Sequence, residues 1–287
     1  MNRGWLRWLV SASVLIGLLL WLDLAALSQQ WQQLDWPYLG LALLVSMVQV
    51  VLSAWRWRFT AGSLGLTLPW RLAISDYYLA SFGNQVLPGG VLGDAWRADR
   101  HRRRSGQAGP AWRAVIIERA SGQLVVAALS VPVLLALLGP SILLPTGLML
   151  TLLLGLGWLG RDWPPLKILL TDSRQALLSS RRWPLQLALS LVIVVSYGLV
   201  FALVGRGLGS AVEFGQLMLL ALPALLAMLI PLSVAGWGWR EAGSALAWTA
   251  LGLSASEGVA VSMTYGAVVF LASLPGAIVW LVSPARH

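Results

Sequence analysis

The chain has 287 residues, of which 58% are hydrophobic and only 11% are charged, and its formal net charge is +9. Several apolar runs reach the roughly 20 residues that a transmembrane helix needs, so the composition indicates an all-α polytopic membrane protein. The sequence contains no cysteine, which excludes disulfides, thiol nucleophiles and sulfur-ligated metals. The two histidines, His101 and His287, stand apart from other ligand residues. We therefore expect no metal and no cofactor.

About six full transmembrane helices are predicted along the chain. The first has tryptophans near its ends, at the headgroup level, and it is too long for a typical signal peptide, so we predict that it is retained. Between the fourth and fifth spans, the polar connector 161–183 predicts an amphipathic helix on the membrane surface, with its leucines on one face. The predicted spans are residues 5–22, 37–56, 114–138, 141–160, 184–204 and 257–282.

Two further hydrophobic segments, 72–96 and 213–239, are interrupted by helix breakers. Proline and glycine interrupt the hydrogen-bond ladder of a helix, and free backbone groups are tolerated at membrane depth only inside protein or beside water. These segments predict two re-entrant broken helices, and a short helix is expected at about 241–252 after the second. The breaking residues are Pro88, Gly89, Gly90 and Gly93 in the first segment, and Pro231, Gly236 and Gly238 in the second.

The two breaks are copies of one another. Residues 87–97 and 230–240 share proline, valine, glycine, tryptophan and arginine at a constant offset of 143. Paired broken helices in corresponding positions of two halves are typical of transporters with inverted repeats, and they point to the substrate site. We predict a first membrane repeat over residues 1–140, with its break near 84–97, and a second over 141–287, with its break near 227–240.

The charges predict the orientation. If each broken segment enters and leaves on one side, an N-terminus in the cytoplasm places nearly all arginines in cytoplasmic loops. Each half then has an odd number of full spans, so the second half is inverted relative to the first. We expect a bacterial plasma-membrane protein with both termini in the cytoplasm. Its basic residues face anionic lipid, and we expect no nucleic-acid partner.

Arg97 and Arg240 are the first candidates for a substrate site. Each follows a glycine-containing break where a new helix N-terminus starts, and such ends favour anions. A guanidinium there suits a phosphate or carboxylate headgroup. The alternative is that both side chains extend to the membrane interface beside Trp96 and Trp239.

Acidic and amide side chains complete the candidate site. Glu118 with Arg119, and Arg240 with Glu241, are adjacent pairs that predict ion pairs orienting their helices, with proton coupling as the alternative. Asp94 is a further acidic candidate, and Asn84, just before the first break, either satisfies loop backbone or contacts a ligand. Asp76 opens the first broken segment, where it is expected to cap a helix.

These motifs resemble the lysylphosphatidylglycerol synthase transmembrane region, a flippase-like integral membrane family. The resemblance covers nearly the whole chain and implies a helical bundle with re-entrant helices that moves a lipid between leaflets. In the synthases this region is fused to a soluble aminoacyl-transferase domain that we do not find here, so we expect no synthase activity and no other catalysis. The resemblance is carried by Phe82, Asn84, Leu87–Gly90, Gly93, Asp94, Arg97, Glu118, Arg119, Gly122, Ile230, Pro231, Ser233, Gly236, Gly238, Arg240 and Glu241.

The leading hypothesis is a lipid translocase of the flippase or scramblase type, with membrane lipids as partners and an enzyme of lipid synthesis as a candidate partner. A small-solute secondary transporter on the same scaffold, an intramembrane lipid-modifying enzyme with Asp94 or Glu118 as base, and a non-transporting lipid-binding partner remain as alternatives. The sequence specifies neither the lipid, the driving force nor the oligomeric state.

Overall fold

The structure is a computed structural model, and it describes residues 34–87, 90–160, 162–229 and 235–282. Every regular element in these ranges is a helix, as the composition predicts. The first predicted span, residues 5–22, lies outside the described residues, as do the breakers Pro88, Gly89 and Pro231.

The described helices follow the predicted order of spans, broken segments and connector. A 3₁₀ turn at Gly139–Ile142 links α4 to α5, and a π turn at Arg174–Leu178 follows α6. The helices are α1 (Trp36–Ser63), α2 (Trp70–Val86), α3 (Leu92–Ser105), α4 (Ala108–Leu138), α5 (Leu143–Leu159), α6 (Pro164–Ser173), α7 (Trp183–Gly207), α8 (Phe214–Ala227), α9 (Trp239–Ala250), α10 (Ala255–Ser273) and α11 (Pro275–Val282).

Four of the described helical stretches are long and apolar enough to cross a membrane: Trp36–Ser63, Ala108–Ile142, Trp183–Gly207 and Ala255–Val282. They contain four of the predicted spans. The first is longer than predicted, because the helix continues through Gly62 and ends only at Ser63, before Gly65 with its positive φ. This extension places Arg56 inside a helix and not in a cytoplasmic loop, a difference that matters for the site.

The predicted surface helix in the connector corresponds to α6. Prolines at its first two positions have the fixed backbone angle of a helix start and lack the amide hydrogens that would be unpaired there. Arg113 on α4 binds Asp172 near the end of α6, with 2.5 Å between Nε and Oδ2. Of the predicted apolar face, Leu166 and Leu169 are half-buried and Leu170 is exposed. The helix is thus tied to the bundle at one end.

The first broken segment folds as an antiparallel helical hairpin of α2 and α3. Asp76 on α2 contacts Arg100 on α3 at 2.9 Å, and eight residues further along α2, Asn84 binds Asp94. The axes approach closely because Gly93 has no side chain, since a Cβ there would collide with the carbonyl of Ala80. The chain therefore doubles back at the break.

The second broken segment folds in the same way from α8 and α9. Gly236 lies against Met228, and Gly243 packs on the backbone of Pro223 and on Ala227. The contacts run in opposite directions along the chain, so this pair is also an antiparallel hairpin. Small residues let the two backbones approach, as in other membrane helix pairs.

Helix boundaries in the second half follow the 143-residue offset. Adding it to the starts of α1, α2, α3 and α4 gives positions 179, 213, 235 and 251. The corresponding helices α7, α8, α9 and α10 begin at Trp183, Phe214, Trp239 and Ala255, each within four residues of those positions. The two halves therefore present the same order of helices to one another.

Equivalent elements of the two halves meet in opposite directions. Arg56 on α1 binds Ser190 on α7, whereas the amide of Asp35, just before α1, binds the carbonyl of Gly207 at the far end of α7. The equivalent helices α1 and α7 are thus antiparallel, which is the arrangement that an inverted repeat requires. The hairpin tips also meet, because a Cβ on Gly90 would lie 3.8 Å from the Cα of Ala235.

Asp76 and the arginine run 100–104 differ from their predicted roles. Asp76 does not cap a helix; it lies within α2, fully buried, and pairs with Arg100 and Arg104. Desolvation makes an unpaired buried carboxylate costly, so the two guanidiniums are drawn to it.

Arg102 and Arg103, in the same arginine run, hold the pKa of Asp99 below its ordinary range through hydrogen bonds. The run is thus partly a structural clamp on the first hairpin.

Candidate functional site

A cavity of about 330 Å³ lies where the two hairpin tips meet. Both halves of the chain line it, because each tip ends at the middle of the helix bundle. The charged lining residues among those described are Arg56, Asp94, Arg97, Glu118, Arg119 and Arg240. Polar side chains deep among membrane-length helices are expensive and usually mark a substrate or ion pathway, so this cavity is the candidate site.

Glu118 on α4 is the centre of the charge cluster. Its side chain is buried, and its two oxygens accept hydrogen bonds from different helices: Arg56 Nη2 lies 2.6 Å from Oε1, and Arg97 Nη2 lies 2.6 Å from Oε2. The hydroxyl of Tyr77 also donates to Oε1, at 3.3 Å. Such charge-assisted bonds fix α1, α3 and α4 to one another.

Arg97 is enclosed by aromatic rings as well as by acids. Its guanidinium carbon lies 4.8 Å from the ring centre of Trp57 and 4.5 Å from that of Tyr77. It also binds Asp94, one turn before it on α3, at 2.8 Å. The rings take up the face of the guanidinium while the carboxylates take up its edge. This side chain therefore does not extend to the membrane interface.

Asp94 and Arg119 close the first tip. Asn84 donates to Asp94 at 2.9 Å, and Arg119 on α4 forms a close ion pair with the same carboxylate. Arg119 also donates to the carbonyl of Gly90 at 3.1 Å, and this glycine is at the tip itself. About a third of the Arg119 side chain remains exposed, at 36%. Arg119 is thus both a tether for the tip and an accessible cation.

Arg240 occupies the corresponding position in the second half. Its Nη2 lies 2.6 Å from Oε1 of Glu241, and both groups share Ser262 on α10 through bonds of 3.1 Å. Its guanidinium carbon lies 4.7 Å from the ring centre of Trp237 and 5.6 Å from that of Tyr265. Like Arg97, it is buried between carboxylate and aromatic groups and not at the interface.

The two helix N-termini at the breaks are already occupied by the chain's own side chains. The amide of Gly93 donates to Asn84 at 2.9 Å, and the amide of Gly238 donates to Glu241 at 2.6 Å. The sequence predicted exposed amides that would favour an anion. A carboxylate or amide oxygen that caps the helix start removes that attraction. An anion in the cavity is therefore attracted by guanidiniums rather than by helix ends.

The predicted ion pair of Glu118 with Arg119 does not form, whereas that of Arg240 with Glu241 does. Neighbouring residues in the middle of a helix point in different directions, so Glu118 and Arg119 bind different partners. At the start of α9 the geometry differs, because Glu241 turns back to the amide of Gly238 and meets Arg240 there. Whether adjacent charged residues pair thus depends on whether they lie at the start or in the middle of the helix.

The cavity has an excess of positive charge. Four arginines and two carboxylates line it among the described residues, and Glu241, which pairs with Arg240, leaves one arginine in excess of the carboxylates. The side chains of Arg97 and Arg240 are 0% and 1% exposed, whereas that of Arg119 is 36% exposed. Arg119 is therefore the most accessible positive charge of these three.

Several residues of the site were missed by the sequence prediction. Arg56 was assigned to a loop because it follows an apolar run, but it is only 5% exposed and binds Glu118. The tyrosines Tyr77, Tyr197 and Tyr265 also line the cavity. A signal for Arg56 existed in the row of polar residues before it on α1, whereas Tyr197 and Tyr265 lie singly in largely apolar sequence.

The family model of the lysylphosphatidylglycerol synthase TM region matches residues 6–276. The chain belongs to this family. No curated protein and no solved structure matches the chain. Membership and the four membrane-length helices together identify an integral, multi-pass membrane protein related to lipid metabolism or transport.

Proposed function

We propose that the protein is a lipid translocase that moves an anionic or modified phospholipid between the leaflets of a bacterial plasma membrane. The observation that carries this proposal is the cavity between the two hairpin tips, which is positively charged although it lies among membrane-length helices. A phosphate headgroup needs such a site to leave the water, while acyl chains need only the lipid around the helices.

The headgroup would bind at Arg119, in exchange for Asp94. Arg119 is the exposed arginine of the cluster, and its guanidinium already holds a carboxylate. A phosphodiester has the same charge and offers the same bidentate geometry, so it competes with Asp94 without leaving a buried charge unpaired. Arg97 and Arg240 would raise the potential of the cavity from behind their aromatic rings.

Alternating access would follow from the opposed halves. The hairpin tips meet at the cavity, and the equivalent helices α1 and α7 run in opposite directions. Rocking one half against the other opens the cavity to one leaflet and then to the other. We propose no catalysis, because both carboxylates of the cavity are bound by arginines and neither is free to act as a base.

Translocation of fluorescent phosphatidylglycerol in proteoliposomes tests the proposal. Lipid moved from the inner leaflet becomes accessible to dithionite, so quenching should go further in liposomes with the wild type than in empty liposomes. R119Q should translocate the lipid at least about tenfold more slowly. The matched control is R103Q, which removes an arginine with an exposed side chain on α3. Wild-type protein that is folded but moves none of the anionic or lysylated lipids would refute the translocase.

A further inference from the structure

α1 has a row of polar side chains on one face, although it is a membrane-length helix. Their spacings alternate between three and four residues, which keeps them on one side of a helix. Each residue is 5% exposed or less, so the row faces protein and not lipid. The row consists of Ser46, Gln49, Ser53, Arg56, Thr60 and Ser63.

The polar row connects the central cavity with the surface. Ser53 and Arg56 line the cavity. Beyond them, Gln186 on α7 donates to Thr60 at 3.5 Å, in the seam between α1 and α7. Ser63 then lines a surface depression, together with Arg58 and Arg182. This depression is at the arginine-rich end, which the charge distribution predicts to be cytoplasmic.

Three buried polar atoms in and beside this row have no hydrogen-bond partner among the described residues: Ser46 Oγ and Gln49 Nε2, which line the cavity, and Gln186 Oε1, which lies in the seam of α1 and α7. Buried polar atoms are nearly always bonded to protein or to ordered water. Leaving them unpaired in an apolar surrounding is costly. The row therefore points to water between α1 and α7.

The equivalent row on α7 is largely apolar. Adding the offset of 143 to the six α1 positions gives Leu189, Val192, Ser196, Leu199, Leu203 and Arg206, of which Ser196 and the exposed Arg206 are polar. Apolar residues replace an arginine, a glutamine and a threonine. The polar connection to the surface is thus present in one half and is replaced by aliphatic packing in the other, although the helices correspond.

We propose that this row, the α1 pathway, is a hydrated route between the cavity and the arginine-rich end, selective for anions, along which the headgroup enters. Small hydroxyls fill the seam, so water can replace their contacts when α1 and α7 part. Arg58 and Arg182 at the surface end, together with the excess of arginines in the cavity, favour anions over cations along this route. The claim that the lipid headgroup enters along this route rests on the proposed translocation, whereas the claims of hydration and of anion selectivity do not.

Cysteine labelling tests the pathway directly, because the chain has no native cysteine. The variants S53C and T60C are compared with S196C and L203C, which lie at the equivalent positions of α7. Each is treated in membrane vesicles of known orientation with an anionic or a cationic methanethiosulfonate. We expect S53C and T60C to react from the arginine-rich side, with the anionic reagent faster by about tenfold or more. S196C and L203C should react much more slowly with either reagent.

Equal labelling of the α1 and α7 variants, or a faster reaction with the cationic reagent, would overturn the pathway. The labelling needs no lipid transport, so it is independent of the proposed function. A labelled S53C protein that blocks translocation supports the headgroup route. Normal translocation by fully labelled S53C would overturn that route, and absence of transport in the unlabelled wild type would refute the translocase while the labelling result stands.

Discussion

Glu118 shows how a single carboxylate organises the site. It holds Arg56 from α1 and Arg97 from α3 at 2.6 Å each, and all three side chains are almost completely buried. Bringing ionised groups out of water costs several kcal/mol for each ion, and only complete pairing offsets that cost. The cluster therefore depends on every member being present.

E118Q should destabilise the protein strongly. Glutamine keeps the shape but removes the charge, which leaves the buried guanidinium of Arg56 without a carboxylate and that of Arg97 with Asp94 alone. Loss of one partner of a buried ion pair costs about 3–5 kcal/mol. Thermal unfolding in detergent measures the effect, with D99N as the matched control, because Asp99 pairs with the exposed arginines Arg102 and Arg103. That control should cost less than about 1 kcal/mol.

A different result for E118Q would be informative. If it unfolds at the temperature of D99N, water and not the carboxylate must screen Arg56 and Arg97. The buried ion-pair interpretation would then be wrong, and the cavity would be more hydrated than its side-chain packing indicates.

At the level of elements, the hairpin of α2 and α3 depends on one missing side chain. Gly93 lies within the helix α3, and the carbonyl of Ala80 on α2 occupies the space where a Cβ of residue 93 would be. The hairpin also sets the position of Asn84 against Asp94, since both flank the break. The close approach of the α2 and α3 backbones at Gly93 therefore also sets the positions of the site residues beside the break.

G93A should force the two helices apart. A methyl group inserted into a packed contact typically costs about 1–3 kcal/mol, and here the obstacle is backbone that cannot rotate away. G62A on α1 is the matched control, because nothing lies within 4 Å of a Cβ there and alanine favours a helix. Thermal unfolding should show a loss for G93A and no loss for G62A. Equal stability of the two variants would contradict the tight hairpin.

The spans and breaks could be predicted from sequence because they have local signals. Long apolar runs predicted four of the membrane-length helices, and glycine with proline predicted the places where the chain turns. The pairing of Glu118 could not be predicted in this way, because its partner Arg56 lies 62 residues away on another helix. Adjacent residues such as Arg119 look like partners in the sequence but point elsewhere on the helix.

At the level of the whole molecule, the two halves meet at their hairpin tips, and the side-chain contacts that hold the two tips differ. Asp94 and Arg119 fasten the first tip across two helices, whereas Glu241 fastens the second within α9. The position equivalent to Arg119 is Ser262. The halves thus share their helices but differ in how the tips are held, and in the proposed translocation a phosphate would replace the bond of the first tip. Movement in this scheme would begin at Gly90.

A disulfide between the tips tests whether they must part. In the variant G90C/A235C the cysteines should bridge, because a Cβ at position 90 lies 3.8 Å from the Cα of residue 235 and a disulfide needs Cβ atoms about 3.5–4.5 Å apart. Both positions have positive φ, of 60° and 52°, which costs about 1–2 kcal/mol at the substituted glycine. A protease site inserted at the exposed Ser180 reports the bridge, since oxidised halves stay together on a non-reducing gel.

The oxidised variant should stop translocating lipid, and a reductant should restore the rate. Tips that are held together cannot open the cavity to either leaflet, whereas the single variants G90C and A235C control for strain at each position. Full transport with the bridge intact would show that the headgroup passes without separation of the tips. The helices α1 and α7 would then have to separate, since the disulfide does not join them and small polar side chains fill the contact between them.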